Sequence, residues 1–293
     1  GQYLKSDNRS NISYFLEHNV LLRRFTLSVG VLANYNSALN EGIHFYPGID
    51  ASYRIGDNVR LYGSWNRALR MPTFTDLYYE GKTNKGNPDL KPEESEAFEV
   101  GLKYNTYFLR AHIAGFYRKG KNMIDWVKEK PEDIWESQNL TKVDNLGFET
   151  NLSLLPRELG NERFFIRKIE LGYAFIHQDK DSEGYISNYA LDYLKHKFTA
   201  QLSHSIWKGF SATWYVRWQD RAGSYTKYEN LKPAYEEPYA PYCLVDMKVN
   251  WEYQRLNLYA ELNNLLNSTY YDLGNIPQPG IWFKAGFRYS FKY

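Results

Sequence analysis

Ile281-Trp282-Phe283-Lys284-Ala285-Gly286-Phe287-Arg288-Tyr289-Ser290-Phe291-Lys292-Tyr293 alternates along its length. Phe283, Ala285, Phe287, Tyr289, Phe291 and Tyr293 share one parity, and Trp282, Lys284, Gly286, Arg288, Ser290 and Lys292 share the other. Successive side chains of a strand point to opposite faces, so the segment has one apolar wall and one mostly polar wall. The same period runs upstream. Leu256, Leu258, Ala260 and Leu262 oppose Asn257, Tyr259, Glu261 and Asn263. Phe210, Ala212, Trp214, Val216 and Trp218 oppose Ser211, Thr213, Tyr215, Arg217 and Gln219. Phe45, Ile49, Ala51 and Tyr53 oppose His44, Asp50, Ser52 and Arg54. No segment carries a comparable helical period.

Working outward, strand and turn signals define about thirteen such segments, at 5–17, 21–36, 44–55, 59–70, 94–104, 107–127, 135–155, 167–179, 194–206, 210–220, 242–252, 256–266 and 282–293. Most reach the ~10 tilted residues that a bilayer-spanning strand needs, against ~5–6 in soluble proteins. Short links near His18–Val20, Gly56–Asn58, Tyr104–Thr106, Trp207–Gly209 and Tyr253–Arg255, with a somewhat longer one at Pro156–Phe165, alternate with long ones at 37–43, 71–93, 128–143, 180–193, 221–241 and 267–281. In an up-and-down array that alternation puts every short turn at one end and every long loop at the other. Outer-membrane barrels have this asymmetry, and Greek-key sandwiches have no reason to keep it. The expected fold is therefore all-β: an antiparallel transmembrane β-barrel, or a portion of one. An odd number of antiparallel strands does not close properly, so the thirteen are expected to belong to a larger barrel.

Composition bounds the function. The formal net charge of +2 over 293 residues points to no nucleic-acid partner. Cys243 is the single cysteine, which excludes an internal disulfide and cysteine-based zinc sites. No apolar run approaches the ~18 residues of a membrane helix. The mean hydropathy of −0.62 suits a soluble protein or a barrel equally, because a barrel wall alternates. The 27 tyrosines fit half-apolar, half-wet positions.

Three motifs carry a family resemblance. Arg70-Met71-Pro72-Thr73-Phe74-Thr75-Asp76-Leu77-Tyr78, then Gly86-Asn87-Pro88-Asp89-Leu90-Lys91-Pro92-Glu93 and Glu99-Val100-Gly101, resembles the signature of TonB-dependent outer-membrane receptors. Leu262-Asn263-Asn264-Leu265-Leu266-Asn267-Ser268-Thr269-Tyr270 is similar to that family's motif before the last loop, and the aromatic terminal strand resembles the signal read by the barrel assembly machinery. The resemblance implies a bacterial outer-membrane receptor with about 22 barrel strands around a plug. Residues 1–293 are then expected to be the C-terminal part of the barrel, strands ten to twenty-two, without the plug and first strands. It also implies partners: outer-membrane lipid, a large nutrient ligand, and the TonB complex of the inner membrane, reached through the plug. The compact run from Met71 to Tyr79 favours a cobalamin-type corrinoid, similar to receptors of the Bacteroidetes, with a ferric siderophore second. Haem receptors often place a histidine between the two halves of the signature, and Thr73–Gly86 has none. A passive porin and a soluble β protein are the rival readings.

Within the signature, Arg70, Pro72, Asn87, Pro88, Leu90, Pro92 and Glu93 are expected to be structural, with Gly86 or Asn87 taking positive φ in a tight loop. Ligand contact is assigned instead to long-loop tyrosines: Tyr78, Tyr79, Tyr185, Tyr189, Tyr225, Tyr228, Tyr235, Tyr239, Tyr270 and Tyr271. Neither a catalytic motif nor a cofactor loop is present, so no enzyme activity and no cofactor is expected. Asp179, Asp181 and Glu183 resemble the start of a calcium loop whose twelfth position, Ala190, supplies no carboxylate; they are weak metal candidates. His177 and His204 fall on the apolar parity, near the two rims.

Overall fold

The computed structural model describes residues 1–5, 7–38, 42–130, 132–160, 163–181, 184–187, 193–230 and 232–291. Thirteen long strands run through them: β1 (Asn11–Leu21), β2 (Phe25–Asn36), β3 (Ile43–Arg54), β4 (Val59–Arg70), β5 (Glu93–Asn105), β6 (Leu109–Lys128), β7 (Trp135–Leu154), β8 (Ile166–Asp181), β9 (Leu194–Trp207), β10 (Phe210–Arg221), β11 (Tyr242–Tyr253), β12 (Leu256–Asn263) and β13 (Trp282–Tyr289). Most bounds lie within two residues of the expected ones. The first turn is the main correction: it falls at Leu22–Arg24, closed by Leu22 N–H donating to Phe25 O at 2.8 Å, and not at His18–Val20. His18 and Asn19 are polar residues within a strand, in register with Val29 and Ser28, and the polar tip is Arg23-Arg24. β12 stops at Asn263 instead of 266 because Asn264 turns to φ 50°.

The long links hold local structure that the two-residue period does not reveal. A single-turn helix α1 (Phe74–Tyr78) and two-residue strands Tyr79–Glu80 and Asn84–Lys85 occupy the stretch after β4. Ser224–Glu229 pairs with Lys232–Pro238, and Tyr271–Leu273 with Ile276–Pro277, as two separate hairpins. No helix of the described residues is long and apolar enough to cross a membrane, which says nothing of strands.

The chain divides into two compact units. In the first (residues 1–102, 114–148 and 176–193), β1 to β4 form an antiparallel meander. Its register aligns parities: Tyr14 faces Ala33, which faces Phe45. In the second unit (103–113, 149–175 and 194–293), β9 to β13 form another meander. One row there runs His204–Ala212–Val249–Ala260–Ala285, and the adjacent row on the other face runs Ser203–Thr213–Lys248–Glu261–Lys284. The polar row is internally paired, with Glu261 held at 2.8 Å by both Lys248 and Lys284. A one-residue slip would exchange the two faces, so the register is strongly specified.

Burial is inverted relative to a soluble protein. Phe45, Phe283 and Phe287 are 62%, 61% and 73% exposed, while Asp125, Lys128 and Asn264 are buried. A contiguous exposed apolar face of this kind needs an apolar solvent. The one cluster of mutually packed buried apolar side chains among the described residues is small: Val127, Leu140 and Val143, with Met123 and Tyr185 against them.

Candidate functional site: the long-loop end

The loop after β4 is built around one carboxylate. Glu93 accepts from Arg70 Nε at 2.6 Å and Nη2 at 2.5 Å, a two-point charge-assisted pair, and also from the Ile124 backbone N–H at 2.8 Å. Pro92 cannot donate a backbone hydrogen bond, and its carbonyl accepts from Asn122 Nδ2. Asn139 binds both backbone groups of Lys91, at 2.8 and 2.9 Å, and donates to Asn122 O at 2.7 Å. Leu90 and Pro72 are buried, while Pro88 is exposed.

Helix α1 is too short to persist by propensity and is fixed by its cap. Thr73 Oγ1 accepts from Asp76 N, and Asp76 Oδ2 accepts from Thr73 N and Thr73 Oγ1, a reciprocal capping box. Asn87 N–H then donates to Asp76 O at 2.8 Å, and Asn87 Oδ1 accepts from Asp89 N, so the second half of the signature folds back on the first. Neither Gly86 nor Asn87 has positive φ, contrary to expectation. Glycine is needed at 86 for space: a Cβ would lie 2.8 Å from Leu77 C and 2.9 Å from Asp76 O.

The N-terminal segment covers this loop. Arg9 Nη1 donates to Pro72 O at 2.7 Å and stacks on Phe74, and Leu4 N–H donates to Tyr78 O. Asp7 accepts from Lys5 and from Tyr78 Oη at 2.8 Å, and these bonds hold its carboxyl down to about 2, while Tyr78 is raised by the same Asp7 bond. A carboxyl lowered on folding stabilises the fold above its ordinary value of about 4, and that contribution declines progressively as pH falls from there through 2. The Asp7–Tyr78 link is therefore expected to survive acidification to pH 3. Carboxyl-carbon NMR of aspartate-labelled full-length protein should show Asp7 titrating below pH 3; a midpoint of about 4 would contradict the link.

The nominated tyrosines separate into packed and offered ones. Tyr79 stacks edge-on against Tyr3 at 5.7 Å, Tyr78 is tied to Asp7, and Tyr185 packs on the Val127 cluster. Tyr225 packs against Tyr239 at 5.1 Å and Tyr271 at 5.7 Å, and Tyr270 against Tyr242 at 4.7 Å. The two hairpins are further joined by Asn275 Nδ2 donating to Thr226 O at 2.6 Å. Gly274 sits so close to Tyr225 that any Cβ would collide with it. Tyr228 and Tyr235, on the Ser224–Pro238 hairpin, remain 53% and 50% exposed. Tyr189 and Glu183 lie outside the described residues.

Sequence reasoning missed Tyr242, which bonds both Gln219 and Asp272 and anchors the last hairpin, and Arg221, which lies over Tyr239 and donates to Asp272 O. Tyr242 fits the wall segment 242–252 by its parity, and Arg221 falls in the long link expected at 221–241, although the strand runs on to it. Asp179 is engaged by Lys142 at 2.7 Å, and no three His, Cys, Asp or Glu among the described residues are grouped to hold a metal ion. His204 Nε2 accepts from Trp214 Nε1 at 3.2 Å on the apolar face.

The second motif, in the second unit, joins the end of β12 to the start of β13. Asn264, buried and at positive φ, donates its N–H to Asp246 Oδ1 at 2.7 Å and its amide to Ser268 O. Asn267 Oδ1 accepts from Ile281 N at 3.0 Å, joining the end of β12 to the start of β13.

Comparison with known proteins agrees with this architecture. The family described as TonB dependent receptor-like, beta-barrel, matches residues 1–265. The vitamin B12 transporter of Vibrio vulnificus is 25% identical over 59% of this chain and 30% of its own length. The iron-regulated outer membrane virulence protein of Vibrio cholerae is 26% identical over 68% of this chain and 33% of its own length. Among solved structures, the ferric enterobactin receptor of Pseudomonas aeruginosa superposes with a TM-score of 0.75 at 19% identity, covering 97% of this chain and 45% of that one, a likeness of fold. The chain spans about a third of the length of the curated relatives it matches. One of these relatives is named a transporter and another a receptor. A matching family model, three ordered motifs and inverted burial converge: the chain belongs to the TonB-dependent receptor β-barrel family of the bacterial outer membrane.

Proposed function

We propose that the chain is the C-terminal part of the barrel of a receptor for a large scarce nutrient, a cobalamin-type corrinoid, imported with energy supplied through TonB. The rest of the barrel and the plug belong, in this reading, to the same receptor, and its ligand loops are the long links described above. The observation that carries it is the pair of exposed rings, Tyr228 and Tyr235, on a hairpin held outward by packed tyrosines. Rings with a polar tip suit a bulky amphipathic ligand. Charge favours the corrinoid over a ferric catecholate siderophore. Acidic residues outnumber basic ones in loop stretches 129–134, 182–193, 222–241 and 264–281. A strongly anionic iron complex would be repelled there, whereas a near-neutral corrinoid would not. Relatives named as B12 transporters support this reading, and those named as enterobactin receptors support the siderophore as second choice.

The test is equilibrium titration of the purified full-length protein in detergent with cyanocobalamin, alongside a ferric catecholate. Saturable corrinoid binding is expected, weakened about tenfold by Tyr228→Ala and by Tyr235→Ala. Tight binding of the iron complex with none of the corrinoid would overturn the choice of ligand.

A further inference from the structure

The outward face of β4 to β6, in the first unit, changes character at one level. Along β4 the outward parity reads Leu61, Gly63, Trp65, then Arg67; along β5 it reads Leu102, Val100, Phe98, then Glu96 and Glu94. Along β6 it reads Gly115, Tyr117, then Lys119 and Lys121. The levels coincide across strands: Trp65 lies 6.4 Å from Phe98, and Arg67 Nε lies 3.2 Å from Glu96. Charged side chains do not face acyl chains, and aromatic belts mark the interface, so the row above Trp65 and Phe98 stands at headgroup level.

Beneath the aromatic row the face is furrowed. Ala51 stands directly opposite Gly63, and Gly115 lies against the Gly147 carbonyl. With so little side chain at that level, a groove of about 680 Å³ opens between Ile49, Trp65, Phe98, Val100 and Leu146. Its lining is almost entirely apolar. Above it Arg67 lies 3.2 Å from Glu96 and 3.9 Å from Glu94, and the exposed Lys119 and Lys121 line the same small cavity, so the cluster sets three cations against two carboxylates.

We infer that this face holds one outer-leaflet glycolipid of the lipid A type, with an acyl chain in the Ala51–Gly63–Gly115 groove and an anionic phosphate on Lys119 and Lys121. The occupant follows from the two parts together. The groove needs a flexible apolar chain, the net positive charge of the cluster above it favours an anion, and the joint between them lies at the membrane interface. The inference uses the membrane location of the wall and is independent of which nutrient is transported.

The experiment is native mass spectrometry of the full-length protein in detergent, titrated with diphosphoryl lipid A and, separately, with phosphatidylethanolamine. One lipid A should be retained at low concentration. The Lys119→Gln/Lys121→Gln double variant should weaken it about 30-fold, from roughly 1 kcal/mol per basic residue near an anionic surface. Gly115→Leu should weaken both lipids by filling the groove. Because both lysines are exposed, the double variant should keep the wild-type thermal transition, which separates lost binding from lost folding. Unchanged lipid A affinity in the double variant would overturn the inference. So would competition by millimolar inorganic phosphate alone, which would mean a free-anion site with no part for the groove.

Discussion

Glu93→Ala in the full-length receptor is expected to lower the protection of the Ile124 amide against hydrogen exchange by about a hundredfold, on the order of 3 kcal/mol. Two terms make up that figure. The buried Ile124 N–H loses its acceptor, which costs about 1–3 kcal/mol. The Arg70 pair is also lost, and since the Arg70 side chain is half exposed, that contribution is discounted towards ~1 kcal/mol for solvent screening. Glu93→Gln keeps an oxygen for Ile124 and gives up the charge, so it should cost less than half as much. Arg70→Lys should cost only a part of the ~1 kcal/mol assigned to the pair, because an ammonium keeps the charge but cannot reproduce the planar two-point fork. The effect should extend to Lys91, whose backbone groups are held by Asn139 next to the same junction. Wild-type protection at Ile124 in the alanine variant would show that Glu93 does not organise this loop.

Gly86→Ala is the second large effect. The atoms a Cβ would meet, Leu77 C, Asp76 O and Tyr78 N, are all backbone at 2.8–2.9 Å, so no rotamer change relieves the contact. Either α1 moves or the Asn87–Asp76 hydrogen bond opens, at about 2–3 kcal/mol, comparable to overpacking a tight core. Gly56→Ala is the control, since nothing lies within 4 Å of a Cβ there and no backbone strain arises. Exchange protection at Asn87 should drop in the first variant and stay unchanged in the second. Equal behaviour of the two would mean that the signature tolerates a side chain at 86.

How much of this was legible in the sequence depends on how locally each feature is encoded. The wall strands were readable because a two-residue period over ten residues leaves little freedom of assignment, as the 210–220 segment shows. The first turn was misplaced because His18 and Asn19 look like turn residues but sit inside a strand, in register with Val29 and Ser28. The loop helix was invisible: five residues are too few for periodicity, and the contact that docks it, Asn87 N–H on Asp76 O, comes from the other half of the signature. The tyrosines could be nominated as a group but not sorted. What separates Tyr225 from Tyr228 is contact with Tyr239 and Tyr271, residues distant in the chain. Tyr242 was missed for the opposite reason, since its parity fitted the wall and hid its hydrogen bond to Asp272.

The central claim is that the wall spans the outer membrane with its long links outside and its short turns in the periplasm. Cysteine accessibility on living cells tests it most directly. Cys243 and any further cysteine of the full-length receptor are replaced by serine, and a single thiol is placed either in the outer hairpin, by Tyr235→Cys, or in a short turn, by Gln254→Cys. A membrane-impermeant maleimide should label the hairpin variant on intact cells and the turn variant only after the outer membrane is opened. Labelling of the turn but not the hairpin on intact cells, or equal labelling of both, would contradict the account.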